Sequence, residues 1–213
     1  MKLVAFSGKA QAGKTTSALH AISVFGGTKI ALGDAVKEEV AEFLTQCGVP
    51  FEQRHLYGTA ADREERLYTN VANWRWSNSD HLIRTILNDH LEIDVQKRTG
   101  SITSRKLLQL WGTEYRRAQC ESYWCDHGKE KILKTEGLIF IDDIRFPDEV
   151  DMIRSEGGVV IRLERPGGSR IATPDHPSET ALDGYKGFDA TIINAGDVTD
   201  LRESVEGLLR LIL

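Results

Sequence analysis

Residues 3–20 read Leu-Val-Ala-Phe-Ser-Gly-Lys-Ala-Gln-Ala-Gly-Lys-Thr-Thr-Ser-Ala-Leu-His: a short apolar run, a glycine-bounded loop and a helix-compatible segment. Gly8 to Thr15 spells G-x-x-x-x-G-K-[ST] in the strand, loop and helix setting that a phosphate-binding loop requires. Gly8 and Gly13 let the backbone take positive φ and approach an anion closely, so that successive N–H groups and the helix N-terminus face it. Lys14 adds a point charge at the β- and γ-phosphates, and the Thr15 hydroxyl is placed to ligate Mg²⁺. Lys9, Ala12 and Thr16 complete the set expected around the phosphates. The rival reading is a glycine-containing turn with an exposed lysine, and the complete, correctly flanked motif outweighs it.

The 213 residues suffice for one sizeable core with insertions and are too few for two large domains. A formal net charge of -5 argues against a chain devoted to a nucleic-acid backbone and leaves small anions as the expected partners. Cys47, Cys120 and Cys125 are odd in number and lack zinc spacing, which favours reduced thiols in a cytoplasmic protein. No apolar run approaches the ~18 residues that span a bilayer, and the N-terminus lacks signal-peptide character, so no membrane association is expected.

Outward from the loop, a helix over about 14–24, a Gly26-Gly27 turn and a buried strand over 29–32 make a β-α-β start, hence a parallel sheet. Residues 35–47 carry Val36, Val40, Phe43 and Leu44 at helical spacing. From 51 to 104 the strand signal vanishes into charged and aromatic residues, with helical stretches around 60–71 and 79–91; this reads as a helical insertion. Its Trp74-Arg75-Trp76 cluster either packs the insert onto the core or forms a wall that stacks on a base, with Arg75 beside it.

A helix over 105–118 and another over 122–134 lead to Leu138-Ile139-Phe140-Ile141-Asp142-Asp143, an apolar strand ending in acid, as expected of a central strand facing a Mg-nucleotide. A helix over 147–155 and a strand over 159–163 follow. Residues 164–187, rich in Pro, Gly, Ser and charge, form a loop-like excursion of the length expected of a lid. A strand over 190–194 and a closing helix over 199–213 complete an α/β P-loop NTPase core of three layers, α/β/α. The expected division is core 1–34, 105–163 and 188–213, an acceptor-binding insert 35–104 and a lid 164–187.

Three P-loop classes compete. A GTPase needs Asn-Lys-x-Asp, and Asn194-Ala195-Gly196-Asp197 lacks the lysine. A motor ATPase would bring an assembly surface, of which there is no positive sign. A small-molecule kinase fits best, because it needs one cover over the acceptor and another over the donor phosphates. If the acceptor is itself a phosphate, its second pKa of about 6 leaves it largely ionised near neutral pH, so positive charge and positioning carry the reaction. Arg105, Arg116, Arg117, Arg145, Arg165 and Arg170 are the candidates for that charge; each alone has a solvated or salt-bridged surface role as its rival.

Five blocks recur in a known pattern: residues 8–15; Gly33-Asp34-Ala35-Val36-Lys37; Thr103-Ser104-Arg105-Lys106-Leu107-Leu108-Gln109 running into Gly112-Thr113-Glu114 and Arg117; Ile141-Asp142-Asp143-Ile144-Arg145-Phe146-Pro147-Asp148-Glu149; and Asp175-His176-Pro177-Ser178-Glu179. By these the chain resembles the bacteriophage deoxynucleoside monophosphate kinases, relatives of the nucleoside monophosphate kinases. The resemblance implies phosphoryl transfer from ATP, with Mg²⁺, to a deoxynucleoside 5′-monophosphate. Lys14 and Thr15 would hold the ATP phosphates and metal. Asp34 would face the reacting phosphates, and Asp142, the acid of the Walker-B-like strand, the metal. Lys37, Arg105, Gln109, Thr113 and Arg117 would reach the acceptor, with Trp74 the candidate wall, and Arg145 would bridge toward the phosphates. Arg165 and Arg170 would belong to the lid, shaped by His176 and Glu179, and Asn194 would lie near the adenine through its backbone. Two departures, Ala35 and Ser104 where proline is common, remove no chemical group. A phosphomevalonate-type kinase, or a low-turnover nucleotide switch, stays open as an alternative, as does a homodimer.

Overall fold

The protein's structure, a computed structural model, describes residues 2–75, 80–167 and 176–213. In chain order these form β1 (Lys2–Ser7), α1 (Lys14–Phe25), β2 (Thr28–Ile30), α2 (Gly33–Gln46), α3 (Gln53–Tyr57), α4 (Ala60–Glu64), β3 (Arg66–Asn70), α5 (Val71–Arg75), α6 (His81–His90), β4 (Glu92–Asp94), β5 (Thr99–Thr103), α7 (Ser104–Gln109), a π-helical stretch (Leu110–Arg117), α8 (Tyr123–Leu133), β6 (Leu138–Ile144), α9 (Pro147–Ser155), β7 (Val159–Glu164), α10 (Pro177–Thr180), β8 (Ala190–Ile193) and α11 (Val198–Ile212). They fall into two compact units, one made of the chain up to Leu32 together with Trp124–Leu213, the other of Gly33–Tyr123.

The first unit is built on a five-stranded parallel sheet in the order β2-β6-β1-β7-β8. Strand alternation divides its core into two layers. Leu3, Ala5, Ile139 and Ile141 face Cys125 and Ile132 of α8 and Val150 and Ile153 of α9. Val4, Phe6 and Phe140 turn the other way, onto Ala18 and Ala21 of α1 and Leu201, Val205 and Leu209 of α11. Strands buried on both faces must be apolar throughout, which is why Leu138–Ile141 and Val159–Ile161 read as continuous hydrophobic runs. The expected three-layer α/β/α core is therefore the one formed. Between Ala5 and Ser7 the pairing with β6 slips, Ser7 standing opposite Ile144, just before the chain leaves the sheet at Gly8.

The second unit departs from the expected all-helical insert. It carries a three-stranded antiparallel sheet, β3-β5-β4. The stretch read as one helix over 60–71 is a helical turn, α4, followed by a strand. Arg66–Asn70 buries only Leu67 fully, and β4 has three residues, so neither shows enough alternation to announce itself. The segment 105–123, expected with the sheet core, groups with this unit because β5 runs directly into α7. Thr103 caps α7, its hydroxyl accepting from the Lys106 N–H at 3.2 Å.

The unit's core gathers Phe43, Trp74, Leu107 and Trp111, with the Phe43 and Trp111 rings 4.9 Å apart. Glu39 on α2 locks the π-helical stretch: it accepts from Trp111 Nε1 (2.7 Å), Arg116 Nε (2.7 Å) and the Tyr123 hydroxyl (2.5 Å). Burial by itself would push the Glu39 carboxyl up, but those three hydrogen bonds and the Arg116 charge outweigh it and hold it below the usual range.

Among the described residues, no helix is long and apolar enough to cross a membrane. Phe140 lies at the centre of the sheet, fully enclosed and stacked 6.5 Å from Phe6. Phe140→Ala is expected to cost roughly 3–5 kcal/mol of stability, read as a lowered midpoint in urea with an unchanged slope.

Candidate active site

The turn from β1 to α1 is held in a conformation that side chains cannot enter. Gly8 has φ of 151° and Gly13 φ of 104°. A Cβ at Gly8 would sit 2.6 Å from the Leu163 carbonyl oxygen, and one at Gly13 2.6 Å from Leu201 Cδ2. Gln11 takes φ of 64°, a left-handed conformation uncommon for a residue with a side chain and concentrated at ligand-binding turns. Gly13 is the N-cap of α1 and offers no side-chain acceptor to the first turn, whose N–H groups stay available to an anion.

Inside the loop, the Lys14 ammonium donates to the carbonyl oxygens of Gly8 (2.6 Å) and Lys9 (2.8 Å). Burial pushes its pKa from 10.5 down to about 8; the Arg145 charge pushes the same way, and Glu179, Asp143 and Asp142 push back. These charges mark the tips of β1 and β6 as one electrostatic cluster. Arg145 is fixed there by two contacts from the Asp175-His176-Pro177-Ser178-Glu179 block: its guanidinium pairs with Glu179 and donates to the Ser178 carbonyl at 3.1 Å. Glu179 itself is buried. Glu179, expected to shape the lid, is tied to Arg145, and His176 caps α10 by accepting from the Ser178 N–H at 3.2 Å. Asp175 and Arg170 lie outside the described residues.

The two acids ending β6 are engaged differently. Asp142 is buried and pairs through both oxygens with Lys29 at 3.3 Å, and Asp143 accepts from the Leu32 N–H at 3.0 Å. No cluster of three or more side chains able to hold a metal occurs among the described residues. Thr15, in the first turn of α1, and the two acids of β6 offer hydroxyl and carboxylate oxygens, the donor types that a hard cation such as Mg²⁺ takes beside substrate phosphates and water.

Beside the loop, a cleft of about 400 Å³ is lined by Gln11, Lys14, Thr16, Arg165, Asn194 and Asp197, among others. Arg165 donates to the Gln11 carbonyl at 3.4 Å. Asn194, expected near the adenine mainly through its backbone, lines this cleft, and its buried side chain donates to the Ala12 carbonyl at 3.0 Å and so props the loop.

In the second unit, Asp34 stands in the first turn of α2, paired with Lys37 at 2.9 Å, and the Lys37 ammonium lies 4.8 Å from the centre of the Tyr57 ring. Arg105, on α7, pairs with Glu64. Arg117 donates to the Glu121 carbonyl at 3.1 Å, and Gln109 and Thr113 flank it on the helix and the wider π-helical turns, a geometry frequent at functional sites. Trp74 is corrected: 1% exposed, packed near Phe43 and donating to the Gly100 carbonyl at 3.1 Å, its ring has no face left for a base. Trp76 and the side chain of Arg75 lie outside the described residues.

Three residues escaped the sequence reading: Lys29, Glu179 as an anchor, and Arg162. Arg162 left a signal, being a lone charge inside Val159-Val160-Ile161-Arg162-Leu163, and a cation in a doubly covered strand needs a purpose.

A central parallel sheet with a P-loop at the tip of its middle strand places the chain among the P-loop nucleotide-binding α/β proteins. A family model for deoxynucleotide monophosphate kinase matches residues 71–205, more than half of the chain. The chain belongs to that family. A protein of Acanthamoeba polyphaga mimivirus, provisionally named a deoxynucleotide monophosphate kinase, is 26% identical over 210 residues, covering 91% of this chain and 89% of its own. Dephospho-CoA kinase from Campylobacter jejuni superposes with a TM-score of 0.44 at 15% identity over 99% of this chain and 97% of its own. A sugar kinase from Janibacter sp. HTCC2649 superposes at 0.41 and 15% over 98% and 94%. Neither superposition is close enough to bear on function.

The depressed Lys14 pKa has a stability consequence. Between about pH 8 and 10.5 the unfolded chain holds this proton and the folded chain does not, so the Lys14 contribution to stability rises with pH across that window. The stability difference between wild type and Lys14→Met, followed by urea titration from pH 7.5 to 10.5, is expected to shift in favour of wild type as pH rises; a flat difference would contradict the buried ammonium.

Proposed function

We propose that the chain transfers the γ-phosphoryl group of ATP to a deoxynucleoside 5′-monophosphate, giving the diphosphate and ADP for DNA precursor synthesis in the cytoplasm. The observation that carries this is the half-buried Lys14 ammonium, enclosed by a loop whose Gly8 and Gly13 leave no room for a Cβ and bonded to neutral carbonyls, in a chain of the deoxynucleotide monophosphate kinase family. A polyphosphate would add direct counter-charge to the more distant charges of Glu179, Asp143 and Asp142.

Gly8, Lys9, Ala12, Gly13 and Thr16 would surround the donor phosphates, and the cleft beside Asn194 and Arg165 would take the nucleoside. Thr15 and Asp142 would hold Mg²⁺, which when bound neutralises charge on the phosphates; the Lys29 ammonium would then share Asp142 with it. The acceptor phosphate, with its second pKa of about 6, is already an adequate nucleophile near neutral pH. The protein's work is therefore to bring two polyanions into line and hold positive charge against them, through Lys14 and the Glu179-anchored Arg145. Asp34, Lys37, Arg105, Gln109, Thr113 and Arg117 of the second unit are the proposed acceptor residues.

An ADP-release assay against dAMP, dGMP, dCMP, dTMP, dUMP, modified-pyrimidine monophosphates and phosphomevalonate tests the reading. One or more deoxynucleotides should stimulate release; stimulation by phosphomevalonate alone would move the chain to another acceptor, and stimulation by none would end the kinase reading. Lys14→Ala should abolish turnover, whereas Arg105→Ala should raise the acceptor KM or lower kcat and leave ATP binding nearly intact. Glu179→Gln keeps the shape but not the charge. Loss of one charge-assisted contact to Arg145 should lower kcat by roughly ten-fold or more, with ATP affinity little changed.

A further inference from the structure

A second cavity lies beside the loop and shares Arg165 with the cleft that Asn194 lines. Its volume is about 390 Å³, within the range of small-molecule sites. Lys9, Arg162, Arg165 and Lys186 face it, with Tyr185 and Phe188 as an aromatic wall. Arg162 is the unusual member. Only 9% exposed on a strand of the parallel sheet, it donates one hydrogen bond, at 3.2 Å, to the Ser7 hydroxyl. Its nearest carboxylate, Asp183, is at the 4.0 Å limit of an ion pair, and the Phe188 ring centre is 5.3 Å away. A guanidinium has five N–H donors, and those of Arg162 that Ser7 does not take open onto the cavity, where an anion would complete the set.

Asp183 marks where that anion would sit. Its other oxygen pairs with Lys9 at 2.8 Å, so one exposed carboxylate spans a cation of the phosphate loop and the buried arginine of β7. We propose that this cavity is a second anion site that takes a phosphate chain, displacing Asp183 from Lys9 and Arg162. Because Lys9 belongs to the loop, and Arg165 lines both cavities, occupancy would be felt at the donor cleft. The site is independent of which acceptor the chain phosphorylates.

Calorimetric titration of the whole chain with ATP tests this. Wild type should bind two molecules per chain, Lys14→Ala should retain the Arg162 site, and Arg162→Gln should retain the Lys14 site. Lys186→Glu, an exposed change outside the donor cleft, should weaken the Arg162-dependent site by roughly ten-fold, as loss of a charged contact implies, and decides the matter if Arg162→Gln does not fold. Repeating the titration with inorganic tripolyphosphate separates the sources: equal affinity means the phosphate chain alone is read, and ten-fold tighter ATP means the Tyr185–Phe188 wall takes the base. One molecule per chain in wild type, or two undiminished sites in both Arg162→Gln and Lys186→Glu, would overturn the proposal. So would loss of the Lys14-dependent site in folded Arg162→Gln, since the cavity would then be part of the donor cleft. Retention of both sites in Lys14→Ala would count against the donor-site reading instead.

Discussion

The close approach of backbone to backbone at Gly8 is the constraint on which the site depends. A Cβ there would meet the Leu163 carbonyl of β7, and one at Gly13 would meet Leu201 of α11. The loop is thus wedged between the neighbouring strand and the closing helix, and both must be in place for it to keep its shape. The supports are long-range: Asn194 holds the Ala12 carbonyl, and Arg162, Ser7 and Ile144 form a hydrogen-bonded chain across β7, β1 and β6. These contacts hold the loop's backbone N–H groups in place, the arrangement that electrostatic stabilisation without reorganisation requires.

Charge at the strand tips is arranged around that rigidity. Burial first, and then the like charge of Arg145, depress the Lys14 pKa, and Glu179, Asp143 and Asp142 push back. Each acid is itself tied down, to Lys29, to the Leu32 N–H and to Arg145. The cluster is balanced by the protein alone only in part, since the Lys14 ammonium rests on carbonyl oxygens. A polyanion would complete it, and family membership and loop geometry point to the same class of ligand from independent directions.

The parallel sheet was legible because its evidence is local. Leu138–Ile141 and Val159–Ile161 are continuous apolar runs, as strands covered on both faces must be, and the helix boundaries at Lys14, Pro147 and Val198 lie within a residue of where glycine, proline and aspartate put them. The antiparallel sheet of the second unit was not. β4 is too short for a period-2 pattern, and Arg66–Asn70 follows a capped helical turn without a break in composition. Pairing with β5, forty or so residues away from the start of α4, makes these segments strands, and pairing is a tertiary event.

From the sequence alone came the phosphate loop, the acid-tipped strand and the class of fold, since glycine spacing and hydrophobic runs act through the backbone of the segment that contains them. Only the tertiary structure decided which charges meet. It put Glu179 on Arg145 across 34 positions of chain, Lys29 on Asp142 across 113, and Arg162 on Ser7 across 155. It also enclosed Trp74, whose sequence context allowed a base-stacking wall as readily as a packed core. Side-chain partnership over such separations depends on strand order and burial, and no local pattern encodes either.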